Sequence, residues 1–358
     1  MDLTGYSPQH DLARATTIPA AWYTDPRMLE LEKRRVFARS WQVVGHAAQV
    51  SEPGSYLAAD IAGEPVVVTR AMDGSLHAFS NVCRHRASLV ASGCGKANVL
   101  RCPYHGWSYR LDGRLHAAPE FDGVEDWDAS EVCLPRMRVE TWGPFVLVNV
   151  DGDAPALREV MGDIPEQVAG LGCPVDGLRF SARRDYVIEC NWKVYVDNYL
   201  EGYHLPAAHP GLFRELDYAQ YRVDTYRWYS SQYAPIRPVR EGEQRQYADP
   251  LTDNRALYFW IFPNFMLNVY PDNLSSNVIV PLGPDRTLTI FEWFTYGGDA
   301  VVKPETIAFS DEIQREDIRI CEAVQKGLSS SFYDKGRFSV RRENGVHHFH
   351  LLLDAALR

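Results

Sequence analysis

CRHRASLVASGCGKANVLRCPYHGWSYRLDG, residues 83–113, decides how the chain is read. It holds two ligand pairs, Cys83-Arg84-His85 and Cys102-Pro103-Tyr104-His105, with sixteen residues between them. β-branched and alternating runs flank both pairs, so each sits in a tight turn between strands where four side chains converge on one point. Two thiolates with two imidazoles suit a tetrahedral structural zinc ion. They also suit a [2Fe-2S] cluster in which two thiolates hold one iron and two imidazoles hold the other. The pairing of one thiolate with one imidazole in each half favours the cluster. Cys94 lies between the halves, but the four-ligand set is complete without it. Cys133, Cys173, Cys190 and Cys321 have no paired spacing and read as core thiols.

Working outward, WQVVGHAAQV from Trp41, GSYLAADIAGEPVVVTRAM from Gly54 and SLHAFSNV from Ser75 are short strand-like runs, cut by Gly, Pro and the Asp73-Gly74 turn. The pattern continues through Tyr109, the Asp112-Gly113 turn and WGPFVLVNV near 142–150, which bounds an all-β domain at residues 40–155. Residues 1–39 precede it. Their segment TTIPAAWYTDPRMLELEKRRVFARSW predicts a turn and then a charged helix, with Met28, Leu29, Leu31 and Val36 as its apolar contacts. Residues 156–358 follow. They begin with a helical ALREVMGDIPEQV and a strand, LRFSARRDYVIECNWK, and then hold several aromatic-rich antiparallel strands over 255–295. Two helices close the sequence, KPETIAFSDEIQREDIRICEAVQKGL and GVHHFHLLLDAALR. The layout is α+β, with an all-β cluster domain inserted before an α+β domain whose central antiparallel sheet is flanked by helices.

The 358 residues are 46% hydrophobic and 23% charged, enough for a substantial core and against a fibrous or disordered chain. A formal charge of −10 without a basic block argues against a nucleic-acid partner. The first 22 residues hold no basic region followed by an apolar run, and no segment offers about 18 uninterrupted apolar residues. The expectation is a cytoplasmic protein with reduced thiols and no membrane span.

A second constellation lies in NWKVYVDNYLEGYHLPAAH, residues 191–209. If Trp192 to Tyr203 is helical, Glu201 and His204 share a face, and Pro206 then breaks the helix so that His209 turns back. On the helix from Pro304 to Gly327, an apolar stripe of Ile313, Ile320, Cys321 and Val324 includes Asp317. A carboxylate aimed into a core needs a cation or hydrogen bonds to compensate it. Glu312, Glu316, Arg319 and Glu322 read instead as a solvated face. His204, His209 and Asp317 together would form a two-histidine, one-carboxylate set, the signature of non-heme Fe(II) sites that leave positions open for dioxygen.

Taken together, the 83–113 stretch, the N-W-K…acidic-Asn-aromatic…acidic-x-Tyr-His pattern with a second His five residues on, and RED before CEAVQKGL resemble the Rieske non-heme iron oxygenases. The resemblance spans nearly the whole chain. It implies a terminal oxygenase that takes electrons originating in NAD(P)H from a separate flavin and iron-sulfur reductase. Cys83, His85, Cys102 and His105 would hold a Rieske [2Fe-2S] cluster, and His204, His209 and Asp317 a mononuclear Fe(II) that uses O2. It also implies a ring-shaped homotrimer in which Glu201 conducts electrons from His105 of a neighbouring subunit, with Asp197, one turn earlier, as support. Glu rather than Asp at 201 is similar to the choline monooxygenase, glycine betaine and carnitine oxygenase branch, so the expected substrate is a small quaternary ammonium compound. An aromatic or heteroaromatic acid is the alternative substrate, and a non-catalytic iron-sulfur electron carrier the alternative of another class.

Other features carry less. His347, His348 and His350 fall on an amphipathic helix end and read as structural. Tyr203, Trp260, Phe262, Phe265, Tyr270 and Trp293 are candidates for a pocket wall or an aromatic cage for a cationic nitrogen. Phosphate loops, a dinucleotide fingerprint and a Ser-His-Asp arrangement are missing from the text.

Overall fold

Asp112 and Gly113 close a turn in which the Gly113 N–H donates to the Arg110 carbonyl at 2.9 Å. Such turns organise the first half of the computed structural model, which describes residues 5–173, 175–237, 255–270, 273–296 and 301–358. Gly113 has φ +90°, and a Cβ there would fall 2.5 Å from the buried Phe79 ring, so both backbone and core require glycine.

The chain divides into two compact units, Phe37–Leu157 and Met1–Val36 with Arg158–Arg358. The first unit is all β apart from short turns of helix. Its strands are β1 (Gln42–His46), β2 (Ser55–Ile61), β3 (Glu64–Arg70), β4 (Leu76–Ser80), β5 (Cys94–Lys96), β6 (Val99–Arg101), β7 (Ser108–Arg110), β8 (Leu115–Ala117), β9 (Arg136–Trp142) and β10 (Phe145–Asn149). They form an antiparallel sheet of order β1-β10-β9-β4-β3-β2-β5 and a three-stranded sheet β6-β7-β8. The apolar side chains of the strands and turns, among them Val67, Phe79, Leu100, Trp107, Tyr109 and Leu134, meet in one core that also encloses Cys83 and Cys102.

The second unit opens with α1 (Ala20–Thr24) and α2 (Pro26–Arg35). Asp25 caps α2, accepting the Arg27 N–H at 2.8 Å, and Pro26 occupies the first helical position where no N–H is needed. Met28, Leu29 and Val36 are buried as expected, whereas Leu31 is only partly covered. Glu32 is buried too, because Lys193 and Trp192 supply its hydrogen bonds. After α3 (Leu157–Met161) and α4 (Ile164–Gly170) come β11 (Leu178–Ile188), α5 (Trp192–Tyr199), α6 (Leu205–Ala208) and α7 (Pro210–Glu215). Six more strands follow, β12 (Arg222–Thr225), β13 (Tyr229–Pro235), β14 (Arg255–Ile261), β15 (Phe265–Val269), β16 (Asn273–Gly283) and β17 (Arg286–Tyr296), then α8 (Pro304–Leu328) and α9 (Asn344–Leu357). The strands build an antiparallel sheet of order β11-β17-β16-β15-β14-β13-β12. The α+β layout is the one expected.

Two local expectations are corrected. The helix that begins at Trp192 stops at Tyr199, with the Leu200 N–H closing its last turn on Val196, so Glu201 lies in the following turn rather than on a shared helical face with His204. Pro206 does not break that helix but sits in the first turn of α6, where its fixed φ is favourable and its missing N–H costs nothing. On α8 the buried face is Phe309, Gln314, Asp317, Cys321, Gln325 and Leu328. Ile313 and Ile320 are only partly covered, and Val324 is exposed.

Candidate functional site

Two turns of the Phe37–Leu157 unit carry the cysteine–histidine pairs, Cys83 and His85 between β4 and β5, Cys102 and His105 between β6 and β7. Both thiols are buried and lie within hydrogen-bonding reach of each other. The two imidazoles meet edge to face with centroids 4.6 Å apart. His85 stacks on Trp107, centroids 5.0 Å apart and planes 8° apart, and its Nδ1 is buried without a hydrogen-bond partner. A rigidly held ring nitrogen with no partner, beside a second imidazole and a thiol pair, fits a mixed-ligand iron-sulfur cluster. Burial alone would push the Cys102 thiol up. The N–H groups of Tyr104 and His105, together with Cys83, outweigh it and draw the thiol below its ordinary value. The Tyr109 hydroxyl lies 3.3 Å from Cys83 Sγ and accepts the Arg84 N–H at 2.9 Å, which fixes the first turn against β7. Cys94 is exposed on β5. Cys133, expected in a core, is exposed instead, on a stretch that pairs with Arg114 through an isolated β-bridge while its neighbour Leu134 takes the buried side. Cys173, Cys190 and Cys321 are buried.

In the other unit, His204, His209 and Asp317 each present a donor atom, and the three atoms lie within 4.8 Å of one another. His209 Nε2 is 3.0 Å, and His204 Nε2 3.9 Å, from Asp317 Oδ1. Metal bonds of about 2.1 Å at right angles put neighbouring donors about 3 Å apart; the His209–Asp317 pair has that spacing and His204 stands wider. The local fold explains the convergence. Asn191 caps α5, accepting the Lys193 N–H, and the turn after Tyr199 brings Glu201 back under His204. Glu201 Oε1 lies 2.6 Å from His204 Nδ1, while Oε2 accepts the N–H groups of Tyr203 and His204. His204 therefore keeps its proton on Nδ1 and turns Nε2 toward Asp317. Asn198 Nδ2 donates to Asp317 Oδ1 at 2.6 Å. His209 is sealed, with Glu316 Oε2 2.7 Å from its Nδ1. Burial disfavours a charge on His209, but Asp317 and Glu316 on its two nitrogens outweigh burial and raise its pKa. Glu316 thus leaves the solvated face expected of it. No sequence signal marks it, since its partner lies 107 residues away.

Asp197 takes its partners elsewhere than at Glu201. Its carboxylate accepts the Tyr23 hydroxyl at 2.6 Å and lies 3.0 Å from His350 Nε2. His347 Nε2 lies 2.7 Å from the Gln9 carbonyl, so both of these α9 histidines have structural partners.

A cavity of about 140 Å³ opens at the three donors, all of which line it. Tyr258, Tyr270, Phe291, Trp293 and Phe309 contribute aromatic wall, and Asn268, Ser275 and Asn277 a polar floor on β15 and β16. Tyr258 and Tyr270 meet edge to face, centroids 6.0 Å apart. Of the six aromatic candidates only Tyr270 and Trp293 line this cavity. Trp260 and Phe265 are buried elsewhere in the sheet, Phe262 is buried in the turn between β14 and β15, and Tyr203 is exposed.

Comparison with known proteins identifies the two domains that carry these residues. Residues 40–128 match the Rieske [2Fe-2S] domain, and residues 175–358 the ring hydroxylating alpha subunit (catalytic domain). The chain is 38% identical over 371 residues to the choline monooxygenase, chloroplastic, of Arabidopsis thaliana, covering 99% of this chain and 86% of that one. It is 36% identical over 358 residues to the carnitine monooxygenase oxygenase subunit of Escherichia coli K12, covering 95% and 93%. Among solved structures, a quaternary ammonium Rieske monooxygenase superposes with a TM-score of 0.85 at 31% identity, covering 97% of each chain. Naphthalene 1,2-dioxygenase from Rhodococcus, at 19% identity and TM-score 0.73 over 95% and 93% of the chains, shares the fold. Among the described residues no helix is long and apolar enough to cross a membrane. The chain therefore belongs to the Rieske non-heme iron oxygenases, as an oxygenase subunit whose family pairs a [2Fe-2S] cluster with a mononuclear iron and takes its electrons from a reductase.

Proposed function

We propose that this oxygenase hydroxylates a small quaternary ammonium compound of the choline, betaine or carnitine type. The observation that carries the proposal is an aromatic-walled cavity beside His204, His209 and Asp317 in a chain 36–38% identical to choline and carnitine monooxygenases. Cys83, Cys102, His85 and His105 would hold the cluster, and His204, His209 and Asp317 the iron. When bound, these groups supply single electrons and the activation of O2. The net reaction, R–H + O2 + 2e⁻ + 2H⁺ → R–OH + H2O, requires the chain to place the substrate carbon and to deliver electrons on time.

The aromatic wall suits a cationic nitrogen, attracted to ring faces at about 0.5–2 kcal/mol per contact. Hydroxylation beside that nitrogen gives a carbinolamine that separates into an aldehyde and a demethylated amine, and hydroxylation of an alcohol carbon gives an aldehyde hydrate. Glu201, bonded to His204 Nδ1, is assigned as the electron conduit to a neighbouring subunit's His105 in a homotrimer. Asp197 supports it from behind, anchoring α5 to Tyr23 and His350. The partner is a flavin and iron-sulfur reductase drawing on NAD(P)H. A cytoplasmic site of action suits seven cysteines of which none is in a disulfide.

Oxygen uptake with the reductase present, stimulated by trimethylammonium compounds and not by benzoates, is the expected result, and the reverse would overturn the substrate assignment. Asp317→Ala should keep the cluster's visible spectrum and lose turnover. Full turnover in that variant would sink the oxygenase site as assigned.

A further inference from the structure

We propose that Glu316 is a positioning residue of the iron centre. It holds His209 as the Nδ1–H tautomer, aims Nε2 at the metal, and adds an outer carboxylate charge that favours the more highly charged iron. The inference rests on reading His204, His209 and Asp317 as the iron ligands.

The geometry points to Glu316 from three directions. His209 is only 1% exposed, so water cannot satisfy its ring, and a buried imidazole nitrogen left unpaired is costly. Glu316 Oε2, at 2.7 Å, is the hydrogen-bond partner of Nδ1, and Asp317 Oδ1, at 3.0 Å, faces Nε2. Both carboxylates come from consecutive positions of α8, whose side chains diverge by about 100°. Asp317 meets the ring at one nitrogen while the longer Glu316 reaches around to the other. The arrangement repeats at the second imidazole, where Glu201 Oε1 lies 2.6 Å from His204 Nδ1. Each ligand imidazole therefore has its own carboxylate, and such outer partners fix the tautomer and strengthen the ligand.

Charge makes a separate argument. With both imidazoles neutral, Asp317, Glu201 and Glu316 place three negative charges around a site for a dication. An ion of higher charge gains more from that field, so Glu316 should lower the Fe(III)/Fe(II) potential. A residue that merely packed α8 against α6 would not do this.

The test uses the holoenzyme of Glu316→Leu, Glu316→Gln and, as a control, His209→Ala. Fe(II) affinity is read by competition with a chelator, the potential by redox titration, and cluster integrity by visible absorbance. Glu316→Leu should bind Fe(II) about 10–100-fold more weakly with the cluster spectrum unchanged. Glu316→Gln still accepts from Nδ1–H, so it should recover most of the affinity while its iron potential rises. Affinity in Glu316→Leu within about twofold of the parent, when His209→Ala loses iron, would overturn the proposal, and so would an unmoved potential in Glu316→Gln. Iron retained by His209→Ala would instead overturn the ligand assignment on which the proposal rests.

Discussion

The Lys193 ammonium lies 2.7 Å from Glu32 Oε1, and neither side chain has any exposure to solvent. The other carboxylate oxygen accepts the indole N–H of Trp192 at 2.7 Å. This pair fastens α2 to the first turn of α5, the helix that leads into Glu201 and His204.

Burial pushes Glu32 up and Lys193 down, and each is offset by its partner. Removing one charge leaves the other uncompensated in the core. Lys193→Met is expected to cost about 3–5 kcal/mol. A Glu32→Leu/Lys193→Met double variant, which removes both charges, should recover most of that loss. Guanidinium unfolding followed by tryptophan fluorescence measures both. A double variant no more stable than the single one would show that the ion pair is not what the core depends on.

Asp197 ties the same helix to both chain ends. The Ile18 N–H donates to His350 Nδ1 at 3.3 Å, so the ring proton resides on Nε2 and is given to Asp197, which also accepts the Tyr23 hydroxyl. Burial and then Asp197 hold the Tyr23 hydroxyl well above its ordinary pKa, so it stays a donor. Asp197→Asn replaces one acceptor oxygen by a donor that faces a donor, and should cost roughly 1–3 kcal/mol in unfolding stability. Tyr23→Phe, which removes one donor and leaves the other, should cost less in the same denaturation measurement.

What the sequence made legible follows from which interactions are local. The cluster turns were readable because Cys83, His85, Cys102 and His105 carry their chemistry in their spacing, and Asp317 because a carboxylate on a buried helix face asks for a partner. The stripe of α8 was misread at Val324 because Gln314 and Gln325, which hydropathy assigns to water, are buried instead. The Tyr195 hydroxyl donates to Gln314 at 2.7 Å and the Asn191 N–H to Gln325 at 2.8 Å, so a polar side chain occupies the core at no net loss. The end of α5 was missed because the turn at Leu200 to Glu201 is held by contacts with distant residues. A Cβ at Gly202 would come 2.7 Å from the Tyr221 ring. The cavity wall was the least legible part, since core and lining aromatics share one strand pattern: Tyr258 lines the cavity, while Trp260, two residues on along β14 and on the same face of the pleat, does not.

His348 gives the fold a pH dependence. Burial pushes its pKa down to about 4, and its Nδ1 is buried without a partner. The folded chain therefore keeps this imidazole neutral where the unfolded chain protonates it near 6.5. A lowered histidine pKa means that the unfolded state binds more protons, so stability is complete above about pH 6.5 and falls as the pH drops toward 4. The loss from this group is at most about 3 kcal/mol. His348→Gln should lose less stability than the parent between pH 8 and pH 5, and equal losses would assign the acid sensitivity elsewhere.

Gly106 separates the cluster turn from its support. It has φ +76°, follows His105 and precedes the Trp107 that stacks on His85. The Gly106 N–H donates to the Cys102 carbonyl, and the Cys102 N–H to the Trp107 carbonyl, so the turn closes on itself. An alanine there pays about 1–2 kcal/mol for the left-handed backbone. Its Cβ would meet the flexible end of Arg101 at 3.3 Å and Pro119 Cγ at an ordinary contact distance of 3.7 Å. The strain thus falls on the loop that aims His105, while the core of the unit is untouched. Gly106→Ala should therefore fold but retain less cluster, read as lower visible absorbance per chain and less acid-labile sulfide. Gly113→Ala differs because its Cβ would press into Phe79, adding overpacking of about 1–3 kcal/mol to the backbone cost. Its expected signature is a lower unfolding midpoint for the whole unit. If Gly106→Ala keeps full cluster content through purification, the left-handed turn is not what holds His105 in place.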